Sequence, residues 1–285
     1  MGLLLARARR LIIIAAVIVV FLVLAGATYQ GAATALERRQ FPHPGRLVDV
    51  GGHQLHLYCI GQGTPTVVLE APATGMSAAW GWVQPDVAQI TRVCAYDRSG
   101  LGWSEAGDRD FEPAAVPGEL HTLLEHASEA GPHVIVGEGL GAAFATLYAA
   151  RYRPEVAGLV LVDPPMTDRP ARRSVTRLLN ASPWLARTGV LRATRTLSSN
   201  AAGLPDVSAR PLRAFLNRPD HLTRSASELE RWSQTVTLSE ASPLDPALPV
   251  VRIEGAGPSH TALLTDAAHG AAVSAAIRAM VEELR

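Results

Sequence analysis

The chain opens on a continuous apolar run, LIIIAAVIVVFLVLAGA from Leu11 to Ala27, and no charged residue occurs between Leu11 and Leu36. Arg7, Arg9 and Arg10 precede it. A bilayer-spanning helix needs about 20 apolar residues, with roughly 17 as the lower limit, so the run is just long enough. Thr28 to Ala35 can lengthen it. The run is not amphipathic and its positive charges stand on one side, which argues against a soluble core helix. It predicts an uncleaved membrane anchor. A cleaved signal remains open, because small residues recur at Ala25–Gly26–Ala27 and Ala33–Thr34–Ala35. In either case the arginines stay in the cytoplasm and residues 36–285 lie outside it, at the cell membrane or secreted.

Beyond a Pro-bearing linker over residues 36–45 the pattern changes. Short apolar runs alternate with helical stretches. Strands are predicted at Leu47–Val50, Gln54–Ile60, Thr66–Ala71, Arg92–Tyr96, His133–Gly137, Ala157–Asp163 and Pro249–Glu254. VVLEA, HVIVG and GLVLVD are nearly continuous apolar stretches, as expected of parallel strands covered on both faces. Helices are predicted at Ser77–Ile90, Ala114–Ala130, Leu140–Arg153 and Ala267–Leu284. This alternation marks a doubly wound α/β fold. From Pro164 to Ala247 no strand is expected, only Arg-rich helical segments divided by Pro183, Pro205, Pro211 and Pro219. The stretch reads as a helical cap over the carboxyl ends of the strands. The predicted organisation is thus an anchor over 1–35, a linker over 36–45, and an α/β domain over 46–285 with its cap at about 164–247.

Composition narrows the partners. The 26 basic and 26 acidic residues cancel, and every basic residue is Arg. No basic stripe suggests nucleic acid. Two cysteines, Cys59 and Cys94, exclude a disulfide scaffold and are too few for a Cys-based zinc site. No cofactor or metal is expected, and no protein partner can be named. Cys59 and Cys94 fall on neighbouring predicted strands. They read as two buried small hydrophobes rather than a disulfide, although such a pair outside the cytoplasm could oxidise.

The order of five segments is specific: GRLVDVGGHQLHLYCIGQG, VVLEA, YDRSGLGWSE, HVIVGEGLGAAFA and GLVLVDPP. Together they resemble the core of the α/β-hydrolase family, and PSHTALLTD resembles the loop carrying that family's histidine. The resemblance implies a nucleophile in a small-x-nucleophile-x-small turn after the fifth strand. Here that turn reads Gly137, Glu138, Gly139, Leu140 and Gly141, so the nucleophile position is Gly139, which has no side chain. Placing Glu138 there instead would put Leu140 in the last small-residue slot. The resemblance further implies His260 as general base and backbone donors from Leu140 and Ala73 as the oxyanion hole. Pro72, next to Ala73, removes one amide from that loop. His269 reads as a surface residue of the last helix.

The acid is open between Glu254 and Asp163, because a strand and helix usual before the histidine are missing. Ser99, Ser104 and Ser259 are the nearby hydroxyls. Ser99 and Ser104 sit in a loop whose Asp97–Arg98 pair and glycines look structural. Two functions remain. One is a degenerate, membrane-anchored hydrolase relative that binds a small apolar carbonyl- or ester-like ligand. The other is an active ester-type hydrolase with an unconventional nucleophile, or with a water activated by Glu138 and His260.

Overall fold

The computed structural model describes residues 2–108, 110–166, 173–254 and 264–285, with side chains from residue 5 onward and excluding those of 173–179. Helix α1 (Gly2–Gln40) leads into β1 (Arg46–Asp49), β2 (Gln54–Ile60) and β3 (Thr66–Glu70). Next come α2 (Val83–Val87), β4 (Val93–Tyr96), α3 (Val116–His126), β5 (His133–Glu138), α4 (Leu140–Arg151) and β6 (Val156–Val162). Five helices follow: α5 (Arg173–Arg187), α6 (Val190–Thr194), α7 (Asp206–Phe215), α8 (Pro219–Glu230) and α9 (Trp232–Glu240). The last elements are β7 (Val250–Ile253) and α10 (Ala267–Glu283). Each expected strand forms, within two residues of its predicted limits.

The strands make one sheet in the order β1-β2-β4-β3-β5-β6-β7. The first two are antiparallel to their neighbours, and β4, β3, β5, β6 and β7 run parallel. Side chains alternate between two cores, as the two-residue strand period requires. Val68, Ile135, Leu159 and Leu161 face Leu120, Leu123 and Tyr148 of α3 and α4. Val67, Leu69, Val134, Val136, Val160 and Val162 face Val83, Val87, Ile277 and Val281 of α2 and α10. Both faces are covered, which is why the central strands read as unbroken apolar runs. Helices α5–α9 form the cap, with a core of their own around Leu191, Leu204, Leu212, Phe215 and Leu222.

Four features depart from the sequence reading. Pro183 and Pro211 lie inside α5 and α7 rather than between helices. Only Pro205 and Pro219 stand where a helix starts, the position a missing N–H suits best. The stretch Ser77–Ile90 forms a short 3₁₀ turn at Ser77–Trp80 and then α2, not one long helix. Helix α1 runs through Gln40, so the first half of the expected linker, residues 36–40, is helical. The second half of α1 is held by the cap: Gln30 Nε2 donates to the Asn217 carbonyl at 2.7 Å, and Glu37 pairs with Arg192.

The fourth departure concerns Cys59 and Cys94, which form a disulfide. The antiparallel register sets them directly opposite one another, with Cα atoms 4.0 Å apart. Directly opposite antiparallel residues approach closest at non-hydrogen-bonded sites, and a cross-strand disulfide fits there.

Candidate active site

The turn between β5 and α4 is built from glycines for two different reasons. A Cβ on Gly137 would strike the Gly141 carbonyl, and one on Gly141 would strike the carbonyls of Glu70 and Ala71. Those two positions are small because backbone passes against them. Gly139 is different. It has φ 54° and ψ −123°, yet among the described residues nothing lies within 4 Å of where its Cβ would stand. Its N–H donates to the Val162 carbonyl and its carbonyl accepts from Ala142 N–H, both at 2.9 Å. Among the described residues nothing obstructs the side-chain direction of position 139, and Glu138 stays within the strand.

Glu138 is buried at the carboxyl end of β5. Desolvation, then the nearby Asp163 charge, push its carboxyl up to about 8, against a hydrogen bond from the Leu264 N–H. Asp163 is also buried, just beyond β6, and takes a left-handed φ of 44°. Its backbone N–H donates to the Ile253 carbonyl at 2.7 Å. A non-glycine residue in that region is uncommon and marks a site worth examining. Of the two acids considered from sequence, Asp163 stands beside Glu138, whereas Glu254 follows β7 as an exposed residue. His260 and Ser259 lie outside the described residues.

The residues of the two expected backbone donors share one apolar cluster: Leu140 is buried in it with Phe111, Val116 and Phe144, and Ala73 packs against it. Leu140 is the first residue of α4, so its N–H has no intrahelical acceptor. The loop bearing Ala73 is pinned on both sides. Arg98 donates to the Ala71 and Pro72 carbonyls at 2.6 and 3.1 Å, and Gly75 N–H closes a turn onto Pro72. From the cap, His221 accepts from Gly102 N–H at Nδ1, so its Nε2 is the atom that donates to the Thr74 carbonyl at 3.0 Å. Burial lowers the His221 pKa, which agrees with that neutral tautomer.

Arg98 is the centre of this support. It bonds Glu228 of α8 through Nε at 2.8 Å and Nη2 at 2.7 Å, and Glu70 of β3 through Nη1 at 2.5 Å. Tyr96 donates its hydroxyl to the same Glu70. Burial works against the guanidinium charge, but Glu228 and Glu70 outweigh it and hold Arg98 above its usual value. Sheet, oxyanion-type loop and cap are thus tied by one buried side chain. The sequence placed Arg98 in a structural loop but gave no sign of Glu228 or His221 as its neighbours.

Among the described residues one Ser–His–Asp group is present, and its geometry is structural. His56 Nδ1 lies 3.0 Å from Asp97 Oδ2 and 3.5 Å from Ser77 Oγ. Both contacts converge on one ring nitrogen, whereas a relay needs the hydroxyl and the acid on opposite nitrogens. Asp97 also takes the N–H groups of Ser77 and Trp103, and all three polar side chains are buried. Ser99 and Ser104 brace the same turns through Gly107 N–H and the Asp97 carbonyl. Among the described residues, the grouping closest to a metal-ligand set is Cys59, Cys94 and Glu129. It is occupied by the disulfide and by a two-point Arg92–Glu129 pair at 2.7 and 2.8 Å.

A sheet of this order, a glycine-flanked strand–helix turn after β5 and a helical insertion after β6 define an α/β hydrolase architecture. Residues 65–250 match the model of the alpha/beta hydrolase fold family, and the chain belongs to that family. It is 34% identical over 113 residues to an uncharacterised protein of Schizosaccharomyces pombe, covering 39% of this chain and 21% of that one. It is 30% identical over 129 residues to the 2-hydroxymuconate semialdehyde hydrolase of a Pseudomonas species, covering 42% and 44%. The matches span between 21% and 50% of these and the other curated relatives. A thermophilic esterase from Thermogutta terrifontis superposes with a TM-score of 0.60 at 18% identity, covering 81% of this chain and 94% of the esterase. At that identity the likeness is one of fold.

Proposed function

We infer that this is a membrane-anchored α/β hydrolase relative, facing outward, that binds a small apolar carbonyl- or ester-like ligand at the β5–α4 turn without cleaving it. Gly139 carries this reading. Its backbone holds the turn and its Cβ direction is open, but position 139 presents no atom able to attack. Leu140 and Ala73 supply backbone donors that would hold a carbonyl oxygen whether or not it reacts. Likeness to a hydrolase named for a semialdehyde supports a carbonyl-bearing ligand.

The anchor rests on α1, which is long and apolar enough to cross a membrane. Leu11, Ile12 and Phe21 are about two-thirds exposed. A contiguous apolar surface of that extent is rare on a soluble protein. Arg7, Arg9 and Arg10 would keep its N-terminal end in the cytoplasm. Cleavage after Ala35 would strip away Gln30, which is bonded to the cap, whereas cleavage after Ala27 would leave both Gln30 and Glu37 in place, so these bonds argue against the later site alone.

Full-length protein in neutral detergent, treated with a fluorophosphonate and a short p-nitrophenyl ester, tests the reading. No labelling and no turnover are expected. A short ester or fatty acid at a hundredfold excess over Kd should still stabilise the fold by about 2.7 kcal/mol. Labelling or turnover by the wild type would overturn it. That result would favour the second reading, an active hydrolase, for which the buried Glu138–Asp163 pair is the supporting observation. Loss of turnover in Glu138→Gln would then assign water activation to that carboxyl.

A further inference from the structure

A cavity of about 1010 Å³ lies between α1 and the cap, and Gly139 is not among its lining residues. One wall is the end of the long apolar helix, with Tyr29, Ala33, Leu36 and Phe41. The opposite wall carries Arg192, Arg195, Arg210 and Arg213. Among the described lining residues Glu37 is the one acid, and it is taken by Arg192, whose Nε also donates to Gln30 at 2.9 Å. Among the described residues Arg195, Arg210 and Arg213 make no ion pair; Arg210 lies over the Phe41 ring at 5.5 Å. Asn217, buried at the cavity wall, leaves its Oδ1 without a partner. Arg218, the next residue, is 5% exposed and leaves Nε and Nη2 unbonded.

The cavity's position adds a second argument. Gly26, near the end of the apolar run, packs so closely on the Thr188 carbonyl that a Cβ would not fit. The cap segment around that contact exposes Trp184 (72%), Leu185 (36%) and Val190 (40%), and Arg187 lies over the Trp184 ring at 5.0 Å. An aromatic with an adjacent cation, beside the end of a span, is the arrangement found where a protein meets the headgroup layer. Surplus guanidinium on one wall and apolar side chains on the other suit a molecule with an anionic head and an apolar tail. Guanidinium binds phosphate through two parallel hydrogen bonds, more selectively than a point charge would.

We propose that this cavity binds a phosphate-type anion at the membrane surface, as the headgroup of an anionic phospholipid. The proposal rests on α1 crossing the bilayer, which alkaline extraction of membranes reads separately. The test uses full-length protein in neutral detergent micelles and compares short-chain phosphatidylglycerol, short-chain phosphatidylcholine and inorganic phosphate, by native mass spectrometry and thermal shift. Phosphatidylglycerol should bind at least tenfold tighter than phosphatidylcholine, and more weakly as salt rises. The triple variant Arg195→Gln/Arg210→Gln/Arg213→Gln should lose that preference. Arg252→Gln, exposed on β7, should keep it. Equal binding of the two lipids, or a preference unchanged in the triple variant, overturns the proposal. Inorganic phosphate binding as tightly as phosphatidylglycerol would overturn the lipid assignment and leave a free anion as ligand. Extraction of the protein at alkaline pH would instead remove the anchor while leaving the micelle measurements to decide the site.

Discussion

Glu138 and Asp163 end neighbouring parallel strands, Glu138 in register with Val162, so two buried carboxyl groups face the same end of the sheet. Burial first, and Asp163 second, raise Glu138 to about 8 from its ordinary value near 4.5. The folded protein therefore keeps a proton that the unfolded chain releases near pH 4.5. Between about pH 4.5 and 8 the folded state binds more protons, and stability falls as pH rises through that window. Glu138→Gln should flatten this slope and gain on the order of 4 kcal/mol over the wild type near pH 8. Urea midpoints at pH 5 and 8.5 check it; parallel profiles for the two proteins would refute the assignment.

Arg98 satisfies two buried carboxylates from different layers of the fold, Glu70 in the sheet and Glu228 in the cap. Arg98→Met strands both. Breaking a buried ion pair from one side costs about 3–5 kcal/mol, because the remaining charge has no solvent. Neutralising both carboxylates in the same protein, Glu70→Gln with Glu228→Gln, should recover part of that loss. A double-mutant cycle on urea midpoints measures the coupling. Equal stability of the single and combined variants would show that Arg98 acts by packing alone.

The sheet was legible because its central strands are buried on both faces, so VVLEA, HVIVG and GLVLVD had to be apolar throughout. The Gly137–Gly141 turn was legible because backbone contact excludes any Cβ at its two ends. Partners distant along the chain were not. Glu228 follows Arg98 by 130 residues, and nothing local distinguishes it from the other acids of α8. The disulfide was missed for a related reason: whether Cys59 meets Cys94 depends on the β2–β4 register, which neither strand's own pattern reveals. Pro183 and Pro211 misled because packing carries α5 and α7 through a residue that locally disfavours a helix.

The Cys59–Cys94 bond closes a loop of 35 residues in sequence separation. On loop-closure entropy alone, opening it costs about 3–4 kcal/mol. Cys59→Ser/Cys94→Ser should lose that much, and reductant should lower the melting temperature of the wild type but not of the variant. Equal reductant sensitivity would mean that the bond does not form in solution.

An outward-facing domain should also be visible from outside. With Arg7, Arg9 and Arg10 orienting α1, a reporter fused after Arg285 should be digested when intact spheroplasts are treated with protease. Full protection of the reporter would reverse the topology. A mature form beginning near Thr28 or Leu36 would show that α1 is a cleaved signal.

Restoring a hydroxyl at the turn separates a lost nucleophile from a lost site. In Gly139→Ser the new Cβ meets nothing within 4 Å among the described residues, so it clashes with none of them. It does place a side chain at φ 54°, a strain of about 1–3 kcal/mol that should appear as a lower urea midpoint. The new hydroxyl would sit on the residue next to Leu140, whose N–H has no intrahelical acceptor, and Ala73 packs against the cluster that holds Leu140. If a base reaches it, Gly139→Ser should gain fluorophosphonate labelling and weak ester hydrolysis that the wild type lacks. Gly139→Phe carries the same backbone strain and also fills the open space, so it should abolish the ligand-induced rise in melting temperature without unfolding the protein. Gly139→Ala carries the strain without filling the space, and should keep that rise. An unchanged ligand shift in Gly139→Phe would place the binding site elsewhere. A folded Gly139→Ser that stays inert to the probe would mean that the base, as well as the nucleophile, has been lost from this turn.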